Sequence, residues 1–294
     1  MEKIEIQFTL FSAFYSPLIA VMAGGFLEEE DIEATWSISP PGVSAIAALI
    51  DGTAQVIQTA PSQAFSELQT GKVPEAVHFA QINEMDGFFL TGREPEPNFD
   101  WKSLEGARVI SFNGGQPRAM FQYACFKAGI DFSKIELLAP GSVSEMDKAF
   151  RGGLGDYIHQ QGPFPQQLEN DGVGHILSLC GPIIGPNAFS SVAATGEWLS
   201  TDVAKSFTRA YGKTRVWMNE TSANDIAHCL HPFFPETDLS ALSRCIETYQ
   251  NLGCWTPHLE ITEEALGRVY DVFEHFGTLK ERFSWDSVCS APPI

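Results

Sequence analysis

Residues 4–38 read IEIQFTLFSAFYSPLIAVMAGGFLEEEDIEATWSI, and their periodicity changes twice. Ile4, Ile6, Phe8 and Leu10 alternate with Glu5, Gln7 and Thr9, the period of two that suits a strand with one face more buried than the other. Ser16-Pro17 then supplies an N-cap and a proline for the first helical position, an apolar helix follows, and Gly24-Gly25 ends it. Ile32, Ala34, Trp36 and Ile38 alternate again. Strand, helix, strand at this spacing predicts an α/β protein whose strands pair in parallel through right-handed crossovers.

The alternation continues outward. Beyond Pro40-Pro41-Gly42 the sequence predicts a short helix over 44–50 stopped by Gly52, a strand over 54–59, a helix opened by Pro61-Ser62, and strands over 77–82 and 88–91. The acidic, proline-rich run at 93–98 breaks the pattern and predicts a lobe boundary. The rhythm then restarts: strand 107–112, loop Asn113-Gly114-Gly115, helix 116–128, strand 135–138, helix 143–150 and strand 157–159. A short helix after Pro163 and strands over 175–179 and 188–194 follow, and beyond Ser200 the pattern is almost wholly helical. Gly42-Val43-Ser44 runs to Gly52 as Ser142-Val143-Ser144 runs to Gly152, each followed by a strand and a helix-opening proline. This weak echo supports two related lobes.

The chain of 294 residues carries 18 basic and 37 acidic side chains, a formal charge of −19. That excludes a general nucleic-acid binder, whose phosphate contacts need clustered Lys and Arg. At 44% hydrophobic there is ample material for a core, and the length suits two lobes of roughly 100–150 residues. No apolar stretch approaches the ~20 residues that span a bilayer. The first residues lack a basic region followed by an apolar one, so the chain as written is expected in the cytoplasm, and in the periplasm if a leader has been removed. The 6 cysteines are scattered and form no CxxC pair, which predicts reduced, mostly packed thiols.

Several segments resemble the type II periplasmic solute-binding proteins that capture alkylsulfonates, taurine, nitrate and thiamine pyrimidine precursors for ABC importers. The residues carrying the resemblance are Tyr15-Ser16-Pro17-Leu18, then Gly25-Phe26-Leu27-Glu28-Glu29-Glu30-Asp31-Ile32-Glu33, and Ala48-Leu49-Ile50-Asp51-Gly52. Trp101-Lys102-Ser103-Leu104-Glu105-Gly106-Ala107-Arg108-Val109 and the Pro163-Phe164 turn add to it. The resemblance implies a two-lobed α/β fold, each lobe a mainly parallel sheet flanked by helices, with a helical C-terminal tail. It implies a discontinuous first lobe, 1–91 plus 193–294, a second lobe, 92–192, and a ligand cleft between them. An ABC importer permease is the implied partner.

Physics places candidate ligand contacts at the same loops, because ligands of open α/β sheets bind beyond the carboxyl ends of the strands. The first-strand loop offers Phe14, Tyr15 and Ser16, with Tyr15 the preferred contact; alternatively Phe14 is core and Ser16 only a cap. After the third strand, Thr59, Pro61 and Ser62 bring a helix start and hydroxyls toward an anion, or simply cap the helix. In the second lobe Asn113, Gly114, Gly115 and Gln116 allow close backbone approach, and Arg118 adds a positive charge, unless it pairs with Glu145 or Asp147 and faces solvent. Gln160, Gln161, Phe164 and Asn187 complete the expected lining. For Trp255, core packing between tail helices is the better reading.

No cofactor and no metal are expected: His228-Cys229-Leu230-His231 lacks the spaced partners of a structural zinc site, and Gly152-Gly153-Leu154-Gly155 runs into a strand instead of a nucleotide-binding helix. The expected function is reversible, hinge-closing capture of a small organic solute, a sulfonate or carboxylate or a pyrimidine-like ring, for an ABC importer. The alternative is an enzyme on the same fold, a desulfinase, decarboxylase or thiamine-pyrimidine synthase. The residues tell against a synthase or a desulfinase: the synthase cofactor lysine and histidine would fall near 58–62, where neither occurs, and the desulfinase cysteine is matched only by Ser12.

Overall fold

The chain opens with β1 (Glu2–Phe8), α1 (Ser16–Ala23) and β2 (Ile32–Ile38) in the computed structural model, which describes residues 1–40 and 42–294. Pro41, in the expected turn, lies outside the described residues. β1 and β2 pair in parallel with Glu2 opposite Ile32 and Phe8 opposite Ile38, and Ile4, Ile6 and Phe8 point into the core. Tyr15, not Ser16, occupies the N-cap position of α1, because the Ser16 hydroxyl turns back to donate to Ala13 O at 2.6 Å.

α2 (Ile46–Ile50), β3 (Val56–Thr59), α3 (Phe65–Leu68) and β4 (Val77–Asn83) complete the first run. The second run is β5 (Phe88–Gly92), β6 (Arg108–Ile110), α4 (Gly115–Lys127), β7 (Glu136–Leu138), α5 (Val143–Arg151), β8 (Tyr157–Gln161), α6 (Phe164–Asn170), β9 (His175–Leu179) and α7 (Gly181–Ile184). β10 (Ser190–Ala194) returns to the first sheet, and a helical tail follows: α8 (Gly196–Leu199), α9 (Asp202–Glu220), α10 (Ala223–Leu230), α11 (Leu239–Leu252) and α12 (Glu263–Phe276).

The two sheets have one topology. Their orders are β2-β1-β3-β10-β4 and β7-β6-β8-β5-β9, so each strand of one has a counterpart in the other. The sequence echo falls on equivalent elements, α2 between β2 and β3 and α5 between β7 and β8. Pairing is more mixed than expected. β1 is parallel to β2 and β3, and β6 to β7 and β8, but β10 and β5 run antiparallel to both of their neighbours. The reason is topological, since each of these two strands enters its sheet from the opposite lobe.

This pairing moves the lobe boundary. β5 belongs to the second sheet, so the chain crosses at 84–87 and returns at 185–189, whereas the sequence places the first break at 93–98. Arg93 lies within the second lobe, donating to the carbonyls of Gly155, Phe150 and Leu154 at 2.7, 2.7 and 2.6 Å.

The first crossing is held by a buried ion pair. Arg215 of α9, with a side chain 0% exposed, donates from Nη2 to Glu84 Oε1 at 2.8 Å and from Nε to Thr256 O at 2.7 Å. Its Nη1 reaches Gln81 O at 2.9 Å and Ile82 O at 3.1 Å. The tail also reaches across to the second lobe. α11 packs on α6, where Gln167 Nε2 and Asn170 Nδ2 both donate to Asp238 Oδ2 at 3.0 Å, and α12 packs on α4. Tyr249 Oη accepts from Gly162 N at 2.8 Å and donates to Gly87 O at 3.0 Å, tying α11 to both the crossing and the end of β8.

Candidate functional site

The carboxyl ends of β1, β3, β6 and β8 converge on a cavity of about 560 Å³ between the lobes, where a ligand of this sheet architecture belongs. The first lobe contributes Thr9 and Leu10 after β1, Gly42 to Ser44 after β2, and Gln58 to Ala60 at the end of β3. The second lobe contributes Phe112, Gly115, Gln116, Pro117 and Gln161, and the return crossing adds Phe189. None of the lining residues among those described is charged.

Side chains from the two lobes bond across this cleft. Gln161 Nε2 donates to Tyr15 Oη at 3.0 Å while its Oε1 accepts from Ser12 Oγ at 2.9 Å. Ser62 Oγ donates to Gln116 Oε1 at 2.6 Å, and Gln116 Nε2 donates to Phe189 O at 2.5 Å. Gln58 is fixed as part of the floor, accepting from Leu10 N at 3.1 Å and donating to Ser190 Oγ at 2.9 Å. Several hydroxyls line the cavity with a donor to offer, Thr9 and Ser44 among them, since each only accepts a backbone N–H. Thr59 Oγ1 is buried without a partner among the described residues, and the Tyr15 phenol is pushed well above its ordinary pKa by burial, so its O–H remains a donor. A buried polar group without a partner costs free energy that a bound ligand can recover.

Of the expected contacts, Tyr15, Thr59, Gly115, Gln116 and Gln161 line the cavity, and Ser62 joins through its bond to Gln116. Asn113 and Gly114 are exposed on the same loop but do not line it, and Pro61 is buried at the start of the turn that leads into α3. Phe14 is core, fully buried with its ring 5.2 Å from Phe189 and 5.1 Å from Tyr249, and Ser16 is spent on Ala13 O. Gln160 is buried in β8 on the face away from Gln161, and Asn187 is buried in the return crossing, donating to Gly185 O at 3.0 Å.

Arg118 is the main departure. Two residues along a helix turn it by about 200°, so with Gln116 in the cleft Arg118 faces away. Its guanidinium carbon sits 4.9 Å from the centre of the Phe132 ring. Trp255 packs as expected, buried and donating to Phe14 O at 3.1 Å. Phe164 lines a different cavity, of about 490 Å³, together with Phe11 and Ser12 of the first lobe and residues 233–237 of the tail. Thr9, Leu10, Gly42 to Ser44, Gln63, Phe189 and Ser190 line the cavity beyond the expected contacts; their signal is their place in the loops following β1, β2 and β3 and at the start of β10.

Two sheets of identical order, crossed twice by the chain and facing each other over a polar cleft, define the type II periplasmic-binding-protein fold. The alkanesulfonate-binding protein SsuA from Xanthomonas axonopodis pv. citri, solved bound to MOPS, superposes with a TM-score of 0.76 at 13% identity, covering 99% of this chain and 99% of that one. The ligand-binding component of an ABC-type import system from Staphylococcus aureus, solved with zinc bound, gives 0.79 at 16% identity, covering 99% and 97%. In sequence, the chain is 27% identical over 296 residues to the Bacillus subtilis (strain 168) protein named "Putative binding protein YtlA", across 98% of this chain and 87% of the relative. No family model matches the chain. The likeness of fold therefore runs along the whole chain. Among the described residues no helix is long and apolar enough to cross a membrane.

Proposed function

We propose that this chain is the substrate-binding component of an ABC importer and that it captures a small organic solute reversibly between its lobes, outside the cytoplasmic membrane. The observation that carries this reading is the cleft itself: a lining of hydroxyls, carboxamides and apolar rings, bridged lobe to lobe, with no charged side chain among the described residues. Such a surface recognises by hydrogen-bond donation. It suits a sulfonate-like oxyanion, which α4 meets with its N-terminal end at Gly115, or a polar ring that lies against Phe112 and Phe189. The named ligand of SsuA, a sulfonate, and the import role in the name of the Staphylococcus protein support the same reading.

The desulfinase form of the enzymatic alternative asks for an activated nucleophile. Ser12 is the residue in the position of interest, and its hydroxyl donates to the carboxamide of Gln161, a group that does not serve as a base. Binding requires only that the solute favour the closed arrangement, as differential affinity demands.

A thermal-shift panel of MOPS, simple alkanesulfonates, carboxylates and pyrimidines tests the proposal. A solute at a hundred times its dissociation constant stabilises the folded chain by about 2.7 kcal/mol, a shift easily read. Gln116→Leu, which removes one cross-cleft partner, is expected to weaken that solute at least tenfold while the fold persists. Mass spectrometry of the released solute should return it unaltered; a chemically changed product would overturn the binding reading.

A further inference from the structure

We propose that Ser12 is a positioning residue of the solute cleft: it sets the direction of the hydrogen bonds that end at Tyr15, so that the cleft favours a solute that only accepts there over a close analogue that carries a donor. The proposal rests on the binding reading and adds to it a rule of selection. Ser12 itself stands outside the cleft. It is 4% exposed and lines the second cavity, whereas Gln161 and Tyr15 line the cleft.

A carboxamide shows an acceptor or a donor according to which way it is turned, so the character of this cleft depends on what holds its glutamines. Of those that line it, Gln63 is exposed at the rim, and the turn of two others is dictated by backbone. Leu10 N can only donate, so it takes Gln58 Oε1 and leaves Nε2 for Ser190 Oγ. Phe189 O can only accept, so it takes Gln116 Nε2 and leaves Oε1 for the Ser62 hydroxyl. Both amides are spent on the protein.

Gln161 differs, because its two partners are hydroxyls, and a hydroxyl suits either end of an amide. Ser12 decides between them. Its Oγ accepts Phe14 N at 3.3 Å, which leaves the hydroxyl hydrogen for Gln161 Oε1 at 2.9 Å. Gln161 Nε2 then donates to Tyr15 Oη at 3.0 Å. The bonds run head to tail from the Phe14 N–H to the Tyr15 phenol, each polarising the next. The phenol, 3% exposed and kept protonated by burial, ends the series with a hydrogen that no described residue accepts. A solute oxygen without hydrogen takes that bond. A solute O–H in the same place meets a hydrogen with a hydrogen and leaves the phenol unpaired, the situation in which polar sites discriminate most strongly. With Gln161 turned the other way, its Oε1 takes the phenol hydrogen, and the phenol oxygen faces the solute as an acceptor.

Isothermal titration of the full chain with propanesulfonate and propylphosphonate at about pH 5 tests the rule, because each then carries one negative charge and the phosphonate alone keeps an O–H. The parent is expected to prefer the sulfonate by about tenfold or more. Ser12→Ala frees Gln161 to turn and should bring that preference to about twofold or less, with circular dichroism confirming the fold. Tyr15→Phe, which ends the series without touching Ser12, should do the same. A merely structural role for Ser12 would weaken both anions alike and leave their ratio where it was. A parent preference below about threefold, or one that survives either substitution in a folded chain, overturns the proposal and leaves the binding reading standing. Binding of neither anion by the parent overturns the proposal together with the oxyanion form of that reading.

Discussion

Replacing Arg215 by methionine tests how the crossing between the lobes is held. Methionine fills much of the same volume but leaves Glu84, whose side chain is 11% exposed, without its guanidinium partner. Breaking one side of a buried pair costs about 3–5 kcal/mol. The carbonyls of Ile82 and Thr256 lose their donor as well, but Glu84 keeps the Thr256 hydroxyl and His258 Nε2 at 3.3 Å, and Gln81 O keeps the Tyr211 hydroxyl at 2.8 Å, so the loss belongs in the lower part of that range. Against a total stability on the order of 5–15 kcal/mol this is a large fraction. Urea unfolding followed by tryptophan fluorescence and far-ultraviolet circular dichroism measures it directly. Adding Glu84→Gln to the same chain removes the stranded charge and should restore about 2 kcal/mol; Arg215→Lys, which keeps the charge but not the planar fork, should fall between. A loss below about 1 kcal/mol for Arg215→Met, at unchanged denaturant dependence, would refute the claim that this pair anchors the crossing.

Two further outcomes follow from the same segment. Burial raises the Asp86 carboxyl to about 7, offset in part by the Phe88 N–H it accepts at 2.7 Å. The folded chain thus holds this proton better than the unfolded one, so the contribution is complete below the ordinary value of 3.8 and is lost as pH rises through about 7. Asp86→Asn, which keeps the acceptor and never charges, should gain on the parent by about 1.4 kcal/mol per pH unit between roughly pH 5 and 7 in urea titrations; parallel curves would show the carboxyl to be hydrated. His78 and His159, both pushed down to about 3 by burial, act alike in the two proteins and cancel in the difference. At Gly87 any Cβ would overlap the Phe14 ring, so Gly87→Ala should cost about 1–3 kcal/mol and Phe14→Leu in the same chain should recover part of it; additive losses in chemical denaturation would separate the two residues.

The opening unit was legible because short-range patterning decides it: β2 spans Ile32–Ile38, the stretch whose alternation is plain in the sequence. The ends of β3, β6 and β8 were legible for the same reason, and with them Thr59, Gln116 and Gln161. What patterning does not carry is partner choice. Nothing local tells Phe88 to Gly92 that its neighbours are β8 and β9, and residues 84–87 lack the prolines that make 93–98 so conspicuous. Arg118 misled for a related reason, since its charge speaks in the sequence and its direction on α4 does not. The neutrality of the cleft is a property of the assembled surface, invisible until the loops meet.

The grip of α11 on α6 ties the helical tail to the second lobe. Asp238 fastens Gln167 and Asn170 while Tyr249 joins Gly162 to Gly87, an outer clasp set apart from the cleft. On the proposed function, weakening the hold of α11 on α6 would shorten the stay of a bound solute without altering any residue that lines the cleft.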